Sequence, residues 1–192
     1  MTMNKKLNGA ILPRSKVTRE ERNTLYHLWE SYYQNVDRAM FEEDFGEKDW
    51  VLTLKDSDGT IRGFTTMKFY ELEIFGKVIR AIFNGSTIIA RDYWGEQELV
   101  HTWCRFMGEL KREEPEIPLY WYLIVSGFRT YMFLPLFFRK FYPNHATETP
   151  GFEKEIIDVL GKMKFPKEYR QGIVRVEEPR ECLDLDLSLI HI

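Results

Sequence analysis

A nearly continuous run of apolar positions extends from Val78 to Ala90 and is rich in β-branched residues. Such a run predicts a β-strand that is covered on both faces. Asp92 follows the run and can cap the start of a helix. A strand that leads into a helix leaves free backbone N–H groups at the positive end of the helix dipole, which predicts an anion site. The helix itself is predicted by apolar residues that share one face: Leu99, Trp103, Phe106, Met107 and Leu110.

The N-terminal part of the chain has the pattern of two helices. Thr18 and Glu21 have the spacing of a capping box, and apolar residues at helical intervals then predict a first helix over residues 18–34. A second, shorter helix is predicted over residues 36–45, with Gly46 at its C-terminal end. The chain therefore begins with a helical pair before its first predicted long strand.

An antiparallel meander is predicted next. Residues 50–55 alternate between apolar and polar positions, residues 56–59 form a turn, and residues 60–74 return as a second strand. Another turn leads into the central apolar strand. Within that strand, Asn84 and Gly85 are compatible with a two-residue hairpin turn or with a β-bulge. A glycine inside a long apolar run favours the bulge.

The C-terminal half continues the alternation of strands and helices. A second wholly apolar strand is predicted over residues 119–127, and a helix over residues 128–142 is interrupted by Pro135. A helix over residues 152–163 and a strand over residues 172–176 follow in a more charged part of the chain.

This pattern divides the chain into four parts. Residues 1–17 form an N-terminal segment, and residues 18–143 form the predicted domain. Residues 144–186 are expected to be a C-terminal extension or the start of a truncated second half. Residues 187–192 resemble the translation of a transposon-end adapter used in sequencing libraries, so we expect the natural protein to continue beyond residue 186.

The composition supports a folded domain and argues against several classes of protein. With 44% hydrophobic and 15% aromatic residues, the 192-residue chain has enough apolar material for a core. A net charge of −3 with interspersed signs leaves no electrostatic footprint for nucleic acid. Cys104 and Cys182 form neither a disulfide framework nor a metal pattern, which fits a reducing, cytoplasmic location. No stretch approaches the roughly 18 apolar residues of a spanning helix, so stable membrane insertion is not expected.

The order of the predicted elements resembles that of the GNAT superfamily of N-acyltransferases over residues 18–143. The resemblance implies an α+β fold with a mixed, mainly antiparallel central sheet flanked by helices. It also implies that the central strand and the next strand splay apart at a bulge. The pantetheine arm of acyl-coenzyme A (acyl-CoA) would lie between them.

The loop after the central strand resembles the diphosphate-binding pattern of the family, Gln/Arg-x-x-Gly-x-Gly/Ala. Arg91 opens the pattern and Gly95 keeps one glycine, whereas the later glycine positions are not kept. Glu96 and Glu98 add negative charge beside the expected diphosphate, which Arg91 offsets in part. The residues that the resemblance places at the cofactor are Ile88, Ile89, Ala90, Arg91, Trp94, Gly95, Glu96 and Gln97.

Four polar residues are candidates for the chemistry. The family tyrosine that protonates the departing thiolate is replaced here by Phe138, so Tyr131 and Ser126 are the nearest hydroxyl groups. Asn84 and Ser86 are polar groups within the apolar central strand. They either satisfy a bulge or contact the substrate amine, directly or through water.

The resemblance implies a transferase that moves an acyl group to an amine of a small molecule or peptide. The donor would be acyl-CoA or acetyl-CoA, with an acyl carrier protein as the alternative. A backbone N–H near residues 84–88 would polarise the thioester carbonyl. The alternative function is a non-catalytic module that binds an acyl thioester or serves in an interaction. Residues 132–138 are apolar on every side, which predicts that they are buried. The functional interpretation of the same pattern is a channel for a long acyl chain.

Overall fold

The computed structural model describes residues 6–124, 128–175 and 182–183, and these contain nine strands and five helices. The strands are β1 Asn8–Pro13, β2 Tyr33–Gln34, β3 Trp50–Lys55, β4 Ile61–Ile74, β5 Lys77–Ile89, β6 Leu119–Tyr122, β7 Tyr169–Arg170, β8 Ile173–Val174 and β9 Cys182–Leu183. The helices are α1 Arg19–Glu30, α2 Arg38–Gly46, α3 Glu98–Glu113, α4 Phe128–Phe137 and α5 Gly151–Lys164.

Five of the strands form one mixed sheet in the order β1-β3-β4-β5-β6. The pairs β1–β3, β3–β4 and β4–β5 are antiparallel, whereas β5 and β6 are parallel. A parallel pair needs a crossover connection, and α3 provides it. The predicted α+β architecture, with a mainly antiparallel sheet flanked by helices, is confirmed.

Helices cover both faces of this sheet. On β4, Phe64 and Ile74 point to one face, since side chains ten residues apart on a strand share a face. Phe64 packs in the core beneath α1 and α2, and Ile74 packs beneath α5. Met67 points to the other face and lies in the core beneath α3. The five apolar residues predicted to line α3 all pack in that core: Leu99, Trp103, Phe106, Met107 and Leu110.

The local signals in the first half of the chain predicted most elements correctly. The capping box forms, because the Glu21 N–H donates to Thr18 Oγ1 and the Thr18 N–H donates to Glu21 Oε2, each at 3.1 Å. The first helix ends at Glu30, four residues before the predicted end, and a short strand follows. Strand β3 has the predicted bounds. Strand β1 was not predicted, and it forms an edge of the main sheet.

Other expectations are corrected by the structure. Asp92 does not cap α3, because it lies in a 3-10 turn over Arg91–Tyr93 and the residue at the capping position is Gln97. Strand β6 ends at Tyr122, earlier than predicted. Pro135 lies inside α4 as expected, but α4 ends at Phe137.

The segment predicted to be buried in α4 is largely exposed. The side chains of Leu136 and Phe137 are 67% and 71% exposed, respectively. The prediction that residues 132–138 are buried is therefore wrong for the C-terminal turn of the helix. Within the described residues, no helix combines the length and the apolar character needed to cross a membrane.

Strand β5 contains a β-bulge near Asn84 and Gly85, where the sequence was compatible with either a bulge or a hairpin turn. Thr65 pairs with Thr87 and Met67 pairs with Asn84, so two residues of β5, Gly85 and Ser86, lie opposite one residue of β4. The strand continues through this point to Ile89. The bulge is confirmed, and the hairpin alternative is wrong.

Candidate functional site

A cleft opens along the edge of β5 next to the bulge. Strand β6 pairs with β5 only from Arg80 to Phe83, and the pairing stops one residue before Asn84. Strand β5 continues to Ile89, so its edge facing β6 carries no partner strand there within the described part of the chain. Because unpaired strand edges present backbone N–H and C=O groups, this edge can bind an extended ligand.

The end of the cleft leads to the loop that precedes α3. Gly95 has a φ of +94°, in a region that side-chain-bearing residues rarely adopt, and a Cβ atom placed there would meet no other atom within 4 Å. The first hydrogen bond of the helix runs from the His101 N–H to the Gln97 carbonyl at 3.0 Å. The backbone N–H groups just before His101 therefore precede the helical ladder, as in an anion site.

Two side chains of this loop fold back onto the protein. The Trp94 indole N–H donates to the Ile89 carbonyl at 2.7 Å, which anchors the loop to the end of β5. The exposed Arg91 guanidinium lies 5.9 Å from the Trp94 ring centroid, within the range of a cation–π contact. The Arg91 backbone N–H donates to the Tyr32 hydroxyl. Arg91 is thus a cation at the loop, as expected for an anion site.

The two glutamates of this loop have different environments. Glu98 Oε1 accepts hydrogen bonds from the Gly9 N–H at 3.3 Å and from the Thr102 hydroxyl at 2.9 Å. This carboxylate is therefore directed towards β1. Glu96 is half-buried, and its backbone N–H donates to the Tyr93 carbonyl. Gln97 uses its side-chain amide to donate to the Gly95 carbonyl at 3.1 Å.

The three residues directly before the loop contribute backbone to the cleft and side chains to the core or its edge. The Ile88 side chain is buried in the core beneath α1 and α2. Ile89 packs against the core beneath α3. The Ala90 N–H donates to the Arg62 carbonyl at 2.7 Å.

Asn84 holds three elements together at the start of the cleft. Its amide oxygen accepts the indole N–H groups of Trp103 at 3.1 Å and Trp121 at 2.9 Å. Its amide nitrogen donates to the Thr65 hydroxyl at 3.2 Å. These partners lie on α3, β6 and β4, so the carboxamide links all three elements to β5. The Trp103 and Trp121 ring centroids are 4.9 Å apart, which places an aromatic pair beside the amide.

The other catalytic candidates are not all brought together. Ser86 lies in the bulge itself and is half-buried. Tyr131 lies on α4 with its ring centroid 6.3 Å from that of Phe141. Ser126 falls outside the described residues. Phe138 lies against Trp121 at a centroid distance of 5.4 Å, so its phenyl ring is near the cleft.

A polar cluster on the α2 and α5 side of the bulge was missed by the sequence analysis. It consists of Asp44, Lys48, Glu47 and Lys164, and we call it the lysine–carboxylate cluster. The Lys48 ammonium donates to the Asp44 carboxylate and, at 2.9 Å, to the Asp44 carbonyl. The Lys164 ammonium donates to Glu47 Oε2 at 2.7 Å and lies 3.6 Å from Asp44 Oδ1.

The two lysines of this cluster have opposite pKa shifts. Burial lowers the pKa of Lys48 from its ordinary value, and the nearby charge of Lys164 lowers it further, although Asp44 acts in the other direction. Burial also acts to lower the pKa of Lys164, but the hydrogen bond to Glu47 and the charge of Asp44 raise it overall. The only sequence signal for the cluster was the helical i, i+4 spacing of Asp44 and Lys48.

Aromatic rings continue this surface towards β6. The Lys164 ammonium lies 5.7 Å from the Phe83 ring centroid, and the Phe83 and Tyr122 centroids are 5.8 Å apart. Burial raises the pKa of Tyr122 to about 12. Near neutral pH the Tyr122 hydroxyl therefore stays protonated.

The raised pKa of Tyr122 predicts a loss of stability in strong alkali. The unfolded chain releases this proton near pH 10 and the folded chain near pH 12, so stability is complete below pH 10 and falls between these values. Because Tyr122 is only partly buried, solvent screening reduces the loss to about 1–2 kcal/mol. Urea titrations at pH 9 and pH 11.5 should show it, and Tyr122→Phe should reduce the difference between the two pH values. An equal pH dependence in both proteins would contradict the assignment.

Comparison with solved structures finds other proteins with a similar fold. The chain is similar to a ribosomal-protein-alanine N-acetyltransferase from Brucella melitensis, with 15% identity, 76% of this chain and 100% of that chain covered, and a TM-score of 0.51. It is also similar to an aminoglycoside antibiotic 6′-N-acetyltransferase from Acinetobacter baumannii, with 7% identity, 76% and 99% coverage, and a TM-score of 0.50. At these identities, the likeness shows the fold.

A third similar structure is a probable N-acyltransferase from Enterococcus faecalis, with 11% identity and a TM-score of 0.44. The match covers 57% of this chain and 28% of that one, so this chain spans less than a third of that protein. No protein-family model matches the sequence, and no curated protein matches it.

Proposed function

From the GNAT fold that the chain shares with these N-acetyltransferases, we propose that it transfers an acyl group from a thioester to an amine. The observation that carries the proposal is the cleft at the open edge of β5. It begins at the bulge of Gly85 and Ser86 and ends at the loop before α3. One strand therefore connects a carbonyl-binding position with an anion-binding position, as an extended thioester donor requires.

The loop and the start of α3 are the proposed diphosphate site. Gly95 leaves open space above the backbone, and the Arg91 guanidinium supplies a positive charge beside it. The sequence indicated that the Glu98 carboxylate lies beside the diphosphate, but this carboxylate accepts hydrogen bonds from Gly9 and Thr102. The electrostatic cost to an anionic ligand is smaller than the sequence alone suggested. Acyl-CoA or acetyl-CoA is the proposed co-substrate, and an acyl carrier protein is the alternative donor.

The bulge is the proposed site of the acyl carbonyl. A backbone N–H of residues 84–88 would donate to the carbonyl oxygen as negative charge develops there. Ser86 lies within reach of the same position because it belongs to the bulge. Tyr131 and Ser126 stay proposals for protonation of the departing thiolate. For Asn84 we propose a supporting role in place of substrate contact, because Trp103 and Trp121 use its amide oxygen.

One observation favours the second candidate function, a non-catalytic module that binds an acyl thioester. The aromatic side chain of Phe138 packs on Trp121 near the cleft and has no proton to donate. Turnover separates the two candidates, since an enzyme alone releases free thiol in a reaction that depends on an amine. We propose a cytoplasmic location for either function, because both use soluble donors.

A charge introduced at Gly95 should weaken binding of the donor. Gly95→Asp places a carboxylate at the proposed diphosphate site, and repulsion of a few kcal/mol predicts binding of coenzyme A that is weaker by about tenfold to a hundredfold. Gly95→Asn is the matched control, because it has the same shape and the same backbone strain without the charge. Isothermal titration with coenzyme A measures the difference.

The same experiment defines the failure of the proposal. A Cβ atom at position 95 meets no neighbouring atom, so both variants should fold, which circular dichroism checks. If Gly95→Asp and Gly95→Asn bind coenzyme A equally, the diphosphate site lies elsewhere. If the parent binds neither coenzyme A nor acetyl-CoA, the coenzyme is not the donor.

A further inference from the structure

We propose that Lys48 accepts the proton of the attacking amine, and this inference rests on the proposed acyl transfer. Lysine side chains are almost never fully buried unless they are paired, and the Lys48 side chain is 0% exposed. Its position is set by the bulge. A Cβ atom on Gly85 would lie 2.7 Å from Lys48 Cε and 3.5 Å from Lys48 Nζ. The end of the Lys48 side chain therefore packs over Gly85 at the proposed carbonyl site, in the space that a larger residue at position 85 would need.

A second observation points to a polar ligand at the same place. The Thr66 hydroxyl is buried and has no hydrogen-bond partner among the described residues. It lies opposite the bulge and would be 2.5 Å from a Cβ atom on Gly85. A buried hydroxyl that lacks a partner carries a desolvation cost, which a ligand or water at the bulge would relieve. Lys48 and Thr66 thus bring two polar groups to one glycine.

The cluster separates the roles of its two lysines. Lys164 is held as an ammonium by Glu47, whereas burial favours the neutral amine of Lys48. Groups with opposite pKa shifts in one site are typical of an acid–base arrangement. The charged groups that face Lys48 are Asp44 on α2, Glu47 directly after α2 and Lys164 at the end of α5, so two carboxylates and one ammonium surround it.

The acidic rim of the cluster is exposed and would attract a cationic acceptor. The Asp44 and Glu47 side chains are 41% and 56% exposed, so they face solvent above the buried Lys48. An amine arrives mostly as an ammonium ion, which these carboxylates attract. The acceptor class that fits is an aliphatic primary amine, such as the one that Lys164 itself places between the two carboxylates.

The chemical step balances without another reactant. The acceptor ammonium first releases one proton to solvent at the exposed carboxylates, which leaves a neutral amine. In its neutral form, the Lys48 amine then takes a second proton from the acceptor nitrogen, whose lone pair forms a bond to the thioester carbonyl carbon. The C–S bond breaks and the electron pair leaves with sulfur as a thiolate. Lys48, now an ammonium stabilised by Asp44, supplies the proton that converts the thiolate to a thiol, either to the sulfur itself or to the hydroxyl of Tyr131 or Ser126 that has given its proton to the sulfur. The products are an amide and a thiol, and Lys48 returns to its neutral form.

The test is the pH profile of turnover in Lys48→Arg. Arginine keeps a positive charge for Asp44 but stays protonated at every useful pH. We would follow thiol release from acetyl-CoA with n-butylamine, spermidine and glycyl-lysine between pH 6 and pH 10. The parent should show a kcat that rises with pH and then levels off, and Lys48→Arg should lower kcat about a hundredfold and lose this rise. Lys162→Arg, on the exposed face of α5, is the control and should leave the profile unchanged.

Asp44→Asn tests the same assignment without replacing Lys48. Because the Asp44 charge raises the pKa of Lys48, its removal should move the rising part of the kcat profile to lower pH. This readout also serves if Lys48→Arg fails to fold. A folded Lys48→Arg with the parent profile, or an Asp44→Asn profile that does not move, overturns the role of Lys48 alone. Parent protein that binds acetyl-CoA but releases no thiol with any of the three amines overturns the proposed acyl transfer as well.

Discussion

Asn84→Leu should lower the free energy of unfolding by about 2–5 kcal/mol, because leucine leaves two indole N–H groups without their acceptor. In the structure, one amide oxygen accepts from both Trp103 and Trp121. Leucine has the same branching and the same number of side-chain heavy atoms as asparagine, so most of the loss would come from the polar network, with a smaller packing cost from the bulkier methyl groups. Urea denaturation followed by tryptophan fluorescence measures the loss and also reports on the two indoles directly.

Asn84→Asp is the matched variant for this prediction. Aspartate keeps an oxygen for the two indole N–H groups, and its second oxygen can accept from the Thr65 hydroxyl. We expect Asn84→Asp to retain more stability than Asn84→Leu. A cost below about 1 kcal/mol for Asn84→Leu would show that the amide contributes little, because such a value is typical of a single solvent-exposed hydrogen bond.

Gly161→Ala should lower the free energy of unfolding by about 3 kcal/mol, although alanine is the better helix former. An added Cβ atom would overlap the Tyr169 ring, which packs against this turn of α5. The ring cannot move freely, since the Tyr169 hydroxyl donates to Asp158 and accepts the Gly172 N–H at 2.8 Å. Thermal and urea unfolding would measure the effect.

Gly108→Ala provides the control for that substitution. Gly108 lies within α3, and a Cβ atom there meets nothing within 4 Å. Without a clash, the better helix propensity of alanine should stabilise the protein by about 1 kcal/mol. Two substitutions of the same kind are therefore expected to have opposite signs. Equal effects in the two helices would contradict the close contact between α5 and Tyr169.

Elements that depend on neighbouring residues could be predicted from the sequence. The Thr18 and Glu21 capping box, the turn after β3 and the bulge at Gly85 are all decided within a few positions of the chain. Strand β1 escaped prediction because it is six residues long and ends at a proline, with too few alternating positions to form a pattern. Its place in the sheet comes from pairing with β3.

The candidate site could be predicted only where it follows the chain. The sequence indicated the loop before α3, because a strand, a glycine and a helix start are consecutive there. The lysine–carboxylate cluster could not be predicted, since Lys164 meets Glu47 across more than a hundred residues. The surroundings of Asn84 and Asp92 were also decided by contacts or loop geometry that the local sequence does not reveal. Asn84 finds its indole partners on α3 and β6, and the loop beyond Asp92 is long enough for α3 to begin at another residue.

The contact between Glu98 and Gly9 makes β1 a reporter of events at the start of α3. Glu98 is the first residue of that helix, and its carboxylate accepts the Gly9 N–H from the edge strand. Amide hydrogen exchange at Gly9 thus depends on how firmly the helix start is held. A ligand that orders the loop would slow this exchange far along the chain from its own contacts. The edge strand therefore offers a label-free signal for screening donors before any acceptor is known.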